Sequence, residues 1–267
     1  MKLRNALTVF AASACAFACS GTTGYGLVSF DAAAVGVADE TANSPYEFTS
    51  DRGFHVLLTS AKLHIGAIYL DQSLPTSGSA ETACTLPGTY AAQVRSGLDV
   101  DMLSPRIQAF PEHGSGSTLP ARVAQLWLTG GDVNATDDAT VILDVAGSAD
   151  QSGNVFPFTA HLTIGKNRAG VASMGSALPG AHPICKQRIV SPIVTSITVR
   201  EGGLLLLHVD PKPLFVNVDF SALHKFSDDP PTYGFSDVSD DQPSLNLYQN
   251  LRAAGAAYRF EWKDKSP

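Results

Sequence analysis

The chain has 267 residues, a formal net charge of −7, 44% hydrophobic residues and only 16% charged ones. That balance supplies a sizeable core and argues against global disorder. With an acidic excess and no basic cluster, nucleic acid is excluded as a partner, because binding it depends on neutralising phosphates with Lys and Arg. Electrostatic docking on anionic lipid is excluded on the same ground.

The first element reads as an export signal. Met1-Lys2-Leu3-Arg4 sets two positive charges before an apolar stretch from Ala6 to Phe17. That stretch is too short to span a bilayer, which takes about 20 apolar residues. A charged start, an apolar middle and the small-x-small exit Ala16-Phe17-Ala18 make residues 1–18 a secretory signal peptide. Ala16-Phe17-Ala18-Cys19 also resembles the lipobox of bacterial lipoproteins, an aliphatic residue and two small residues before cysteine, and departs from it at Ala16 and Phe17. The resemblance implies cleavage before Cys19 and lipidation of that residue. A second candidate, Ala12-Ser13-Ala14-Cys15, suits the small positions but leaves an apolar region of only about six residues, below the usual range.

Cysteine parity favours Cys19. Of Cys15, Cys19, Cys84 and Cys185, the first leaves with the signal and the second carries lipid. Cys84 and Cys185 remain, an even pair in an oxidising compartment, where a disulfide is the default reading. Two separate buried thiols are the alternative. The expected place is the bacterial cell envelope, with the membrane reached through the lipid anchor.

Residues 19–45, rich in Gly, Ala, Ser and Thr, read as a lipidated flexible tether. The alternative is that Leu27-Val28-Ser29-Phe30 donates a strand. From residue 46 to 267 the signals are those of a single β-sandwich domain. Apolar and β-branched runs fall at Phe54–Leu58, Leu63–Leu70, Val123–Leu128, Thr140–Val145, Phe156–Ile164, Ile193–Val199, Leu204–Val209 and Leu214–Phe220. Alternation is clearest where Val141, Leu143 and Val145 share one face, and where Phe158, Leu162 and Ile164 oppose Thr159, His161 and Thr163. Gly114-Ser115-Gly116-Ser117 reads as a flexible loop. One helix is predicted, with Ser244 as N-cap and Leu247, Leu251 and Ala254 at helical spacing before Gly255. Tyr258, Phe260 and Trp262 then alternate as a closing strand. The expected fold is therefore all-β, an antiparallel sandwich with one short C-terminal helix.

Catalytic signatures are absent: no Gly-x-Ser-x-Gly, His-Glu-x-x-His, Cys-x-x-Cys or phosphate-binding glycine pattern occurs. Asp132–Asp138 and the aspartates from Asp228 to Asp241 read as solvated turns. The seven histidines hold more interest, since neutral imidazole ligates copper and zinc and a rigid sheet can aim several at one point. His55 and His64, nine positions apart, lie on opposite faces of a regular strand unless a bulge near Ser60 intervenes. His64 alternates with Lys62 and Gly66, and His161 with Thr159 and Thr163, so a shared ion would use His64 and His161, with His208 next.

The strand carrying His64, the stretch Phe158-Thr159-Ala160-His161-Leu162 and the segment Leu204–Phe220 resemble periplasmic copper-binding proteins associated with methanobactin uptake. Those proteins carry more cysteines than this chain. The resemblance implies copper held by His64 and His161, with Trp127 as a nearby aromatic. The sequence thus favours a non-enzymatic envelope lipoprotein that binds a protein or small ligand or serves the envelope's structure. A periplasmic copper- or zinc-binding protein comes second and an envelope hydrolase third.

Overall fold

A computed structural model of the protein describes residues 26–37, 45–73, 89–129, 139–164, 189–238, 240–255 and 257–264. Strands Leu27–Val35 (β1), Tyr46–Thr49 (β2), His55–Ile65 (β3) and Ala67–Asp71 (β4) come first. Tyr90–Val94 (β5), Leu98–Asp101 (β6), Gln108–Ala109 (β7), Gly114–Ser117 (β8) and Pro120–Trp127 (β9) follow. Val141–Gln151 (β10), Asn154–Thr163 (β11) and Ile189–Thr198 (β12) come next, succeeded by Leu204–Val209 (β13). His224–Asp228 (β14) and Pro231–Gly234 (β15) precede the helix Gln242–Arg252 (α1) and the last strand, Tyr258–Lys263 (β16).

These strands form two sheets. The larger runs β12-β9-β4-β5-β8-β1-β13-β16, with β7 also on β1; the smaller runs β14-β15-β11-β10-β3-β2, with β6 also on β3. The fold is all-β with one short helix near the C-terminus, as the alternation and the capped helix pattern predict. It is not purely antiparallel. β1 lies parallel to β13, and β11 parallel to β15. Both pairs join strands far apart in sequence, where long connections leave the direction free.

Within the tether expected over residues 19–45, the described residues 26–37 carry strand β1 instead, and residues 19–25 and 38–44 lie outside the described residues. Ala32, Ala33 and Ala34 are buried together with Phe30, and Asp31 to Val35 pair in register with Leu204 to His208. The donated-strand alternative holds, over a longer span than Leu27–Phe30. Alanine has little strand preference of its own, so this element owes its conformation to neighbours on both sides. Gly-Ser-Gly-Ser is likewise strand β8 rather than a loop. A Cβ at Gly116 would collide with Ala92 of β5, so glycine is what lets the two backbones approach.

One hydrophobic core fills the space between the sheets. Its aromatic part is made of Phe54, Phe158, Phe215, Phe220 and Phe235, with Phe215 and Phe220 stacked at 5.8 Å. The strand expected over Leu214–Phe220 is instead a pair of 3-10 turns, Lys212–Phe215 and Phe220–Ala222. Pro211 and Pro213 withhold the N–H donors a ladder needs, and Asp219 accepts from the Ser221 N–H at 3.1 Å. The helix α1 starts earlier than predicted. Asp241, not Ser244, is its N-cap, accepting from the Ser244 N–H at 2.7 Å. Asn250 donates to the carbonyls of Leu214 and Val216, which fastens α1 over the aromatic cluster.

The run Leu63–Leu70 is two strands in two sheets. It breaks at Gly66, whose N–H donates to the Trp127 carbonyl at 2.7 Å. One stretch of chain therefore joins the smaller sheet to the larger.

Candidate functional site

The face of the smaller sheet turned to water is built around an irregularity in β3. Val56 and Leu58 point into the core, and so do Ala61, Leu63 and Ile65. The step from Leu58 to Ala61 is three residues rather than two, and pairing with β10 slips between Ala146 and Gly147. Thr59 is the extra residue of this bulge, its hydroxyl donating to the Ala146 carbonyl at 3.2 Å. Gly147 is needed opposite it, because a Cβ there would collide with the Leu57 carbonyl.

The other edge of β3 is interrupted at the same place. β2 pairs with it up to Leu58. On the far side of the break Met102 N–H donates to the Ala61 carbonyl before β6 pairs from Lys62, so Thr59 and Ser60 face a gap between two strand ends. The gap opens into a groove of about 590 Å³ lined by Thr59, Ser60, Lys62, Asp101, Ser104 and Arg106, among others. A second hollow of about 290 Å³ adjoins it, sharing Lys62 and Asp101 and reaching His64, Asp99 and Asp144. Bulges commonly sit where a sheet re-aims side chains at a site.

Four side chains cross the sheet in a row. Asp101 pairs with Lys62, Lys62 with Asp144, and Asp144 with His161. His161 Nδ1 lies 3.1 Å from Asp144 Oδ1, and His64 Nδ1 lies 2.6 Å from Asp99 Oδ1. An ionised carboxylate only accepts, so each Nδ1–H donates. Such exposed pairs stabilise the fold by only about 0–1 kcal/mol. Among the described residues neither Lys62 nor Arg106 forms an ion pair through its side chain.

The expected metal set does not assemble. His64 and His161 project from the same face, but β10 stands between their strands. Two strand spacings separate them by about 10 Å, against about 5 Å for neighbours. His208 belongs to the larger sheet, its Nε2 2.7 Å from Glu261 Oε2. Trp127 is in that sheet as well, donating to Gln125 Oε1 at 3.2 Å. The bulge does turn His55 to the same face as His64, yet His55 sits at the far end of β3 beside Glu47, 3.6 Å away.

A different set converges. His224 of β14 meets Asp240 and Asp241 ahead of α1, with one ligand atom from each residue within 4.8 Å of the others. Nε2 lies 3.3 Å from Asp241 Oδ2 and 3.8 Å from Asp240 Oδ1. The Ser236 hydrogen bond, helped by His224, holds the Asp240 carboxyl below its usual range. Asp241 already serves the helix, with Ser244 Oγ donating to its Oδ2 at 2.8 Å. Sequence spacing gives no hint of this meeting, since 16 positions separate His224 from Asp240.

The outward face of the larger sheet holds the remaining polar feature. Asp71 and Gln125 are both fully buried there, beside Tyr69, Tyr90 and Trp127, whose rings lie 5.0–5.1 Å apart in sequence along the face. Gln125 Nε2 donates to Asp71 Oδ2 at 2.6 Å, while Asp71 Oδ1 has no partner among the described residues. Burial pushes the Asp71 carboxyl above its ordinary value, and the Gln125 bond opposes that only in part.

Cys19, Cys84 and Cys185, the expected lipidation and disulfide positions, lie outside the described residues, as do the signal peptide and Asp132–Asp138. Among the described residues no helix is long and apolar enough to cross a membrane. No family model matches the chain, and no curated protein or solved structure matches it either.

Proposed function

We propose that this protein is a bacterial cell-envelope lipoprotein, anchored through Cys19, whose β domain is a non-enzymatic binding module. Its ligand seat is the water-facing side of the smaller sheet. The observation that supports this is the groove at the β3 bulge, where Thr59, Ser60 and Lys62 of β3 and Asp101 of β6 meet Ser104 and Arg106 of the connection that follows. Sites of about 300–1,000 Å³ with a few placed polar groups are typical for small ligands. Strands hold such groups more precisely than loops do.

Anchoring is tested by fractionation. Cys19→Ala should move the protein from membranes to the soluble fraction, and Cys15→Ala should not. Wild-type protein that is wholly soluble with an unmodified N-terminus contradicts the anchor. The Cys84–Cys185 bridge belongs to the same reading, and non-reducing peptide mapping should link the two. Binding is tested by screening small molecules against the full chain by NMR. Hits that shift Ser60, Lys62 and Asp101 support the seat; an inert groove across the library contradicts it.

Copper or zinc binding is the second reading, and the His224–Asp240–Asp241 cluster favours it. Occupancy there would compete with the helix cap that Asp241 provides. Metal analysis of untagged protein decides it, with bound metal that is lost in His224→Ala as the supporting result.

A further inference from the structure

His224 differs from the other described histidines in what it faces and at what distance. His64, His113, His161 and His208 each place one ring nitrogen against a single carboxylate oxygen, at 2.6, 2.8, 3.1 and 2.7 Å. Those are hydrogen-bond separations. His55 touches one carboxylate loosely, 3.6 Å from Glu47. Among the described histidines only His224 faces two carboxylates, its Nε2 3.3 Å from Asp241 Oδ2 and 3.8 Å from Asp240 Oδ1. Both distances exceed an ordinary N–H···O bond, yet one ligand atom from each of the three residues lies within 4.8 Å of the others.

Too long for a hydrogen bond, the shorter separation matches the edge of a coordination tetrahedron. Nitrogen and oxygen ligands about 2.0–2.1 Å from zinc stand about 3.3–3.4 Å apart. Asp240, its side chain 59% exposed, can close the longer separation by rotation. Octahedral magnesium sets neighbouring ligands only about 2.9 Å apart. Calcium takes about six to eight oxygens, which leaves an imidazole no part. Copper(I) favours sulfur ligands, and the cluster has none; copper(II) prefers a tetragonal set, whose neighbouring ligands lie closer than those of a tetrahedron. Both carboxylates are also held from behind. Ser236 is hydrogen-bonded to Asp240, and the Ser244 N–H donates to Asp241 Oδ1 at 2.7 Å. Partners of this kind orient metal ligands. An ion at Oδ2 contests only the Ser244 Oγ bond there, while Oδ1 keeps α1 capped. The start of α1 carries roughly half a positive charge, which two carboxylates outweigh.

Resting on the metal reading above, we infer that His224 Nε2, Asp240 Oδ1 and Asp241 Oδ2 form a three-ligand zinc site whose fourth position is open to water. Ser236 and Ser244 are its positioning residues. The ion ties β14, at the edge of the smaller sheet, to the start of α1.

Calorimetric titration of the untagged full chain, stripped of metal by a chelator, tests this with zinc, copper(II) and magnesium as separate probes. Zinc should bind at a single class of site, and excess magnesium should not displace it. His224→Ala should abolish that binding and Asp240→Asn should weaken it strongly. Ser236→Ala should weaken it by about tenfold, the lower end of what removing a partner behind a ligand costs. Amide shifts on adding zinc should fall on Lys225 and Phe226 of β14 together with Ser244 and Leu245 of α1. Zinc that still binds His224→Ala as tightly places the metal elsewhere and overturns this site, while the metal reading stands. Copper(II) bound through His224 without any zinc binding overturns the zinc assignment alone. Absence of binding by zinc and copper alike overturns both.

Discussion

The two sheets share one core but treat their outward faces in opposite ways. On the smaller sheet, Asp101, Lys62, Asp144 and His161 cross four strands in the open, each ion solvated and each pairing weak. On the larger sheet, Asp71 and Gln125 are fully buried beside Tyr69, Tyr90 and Trp127. There a single carboxyl has one bonded oxygen and one orphan, and burial raises its affinity for a proton. Water makes the difference. A polar row on a hydrated sheet costs little and can be kept for a ligand, whereas one buried carboxyl is costly in its charged form.

The shared core should dominate any perturbation of either face. Phe158→Ala removes a ring that touches Phe215, Phe220 and Phe235 and should cost about 3–5 kcal/mol in chemical denaturation. Resonances on both outward faces should shift together. A loss well under that range, confined to one face, would show that the sheets do not depend on a common core.

Next in size is the helix cap. Asp241→Ala removes the acceptor for Ser244 N and Oγ and should cost about 1 kcal/mol. The groove lies on the far side of the small sheet and should keep its ligand shifts. Their loss would tie the seat to α1.

Asp71 offers a pH test of the buried face. Its folded pKa is raised above the unfolded value. Its contribution to stability is therefore complete below the unfolded value and is lost as pH rises through the folded one. Asp71→Asn abolishes that loss. The Tm of the variant relative to wild type should accordingly climb as pH rises from about 4 to 8. A constant difference would mean that Asp71 stays charged at little cost.

Smallest is the exposed row. Lys62→Met should change stability by no more than about 0.5 kcal/mol, even though Lys62 lies between two aspartates in register. A larger loss would make the row a structural device and weaken its assignment to a ligand.

Much of the smaller sheet was legible in advance. Strand β11 alternates from Phe158 to Leu162 as the period predicts. β10 does not throughout: Val141, expected inward with Leu143 and Val145, is exposed, because an irregularity between Val141 and Leu143 puts Ile142 inside instead. A bulge near Ser60 was one of two ways, with a break in the strand, for His55 and His64 to share a face, and Thr59 supplies it. The seat itself was not legible. It depends on where β2 stops and β6 starts along β3, which are facts of pairing between segments distant in sequence. The same holds for His64 and His161. Both were correctly placed on the polar face, but nothing local says that β10 lies between them. The Ala-rich second half of β1 escaped because such sequence carries no strand signal of its own, leaving only Leu27–Phe30 as an alternative, and β8 escaped because its glycines serve close approach rather than a turn. Pro211 and Pro213 were visible, and they outweigh the apolar run that follows them.

The contrast between the faces is tested most directly by mapping amide shifts of the full chain on titration with small-molecule hits from the NMR screen. Movement should centre on Ser60, Lys62, Asp101 and Asp144, while Tyr69, Gln125 and Trp127 stay still. Shifts centred on Tyr69, Gln125 and Trp127, with the β3 groove silent, would contradict the placement of the seat.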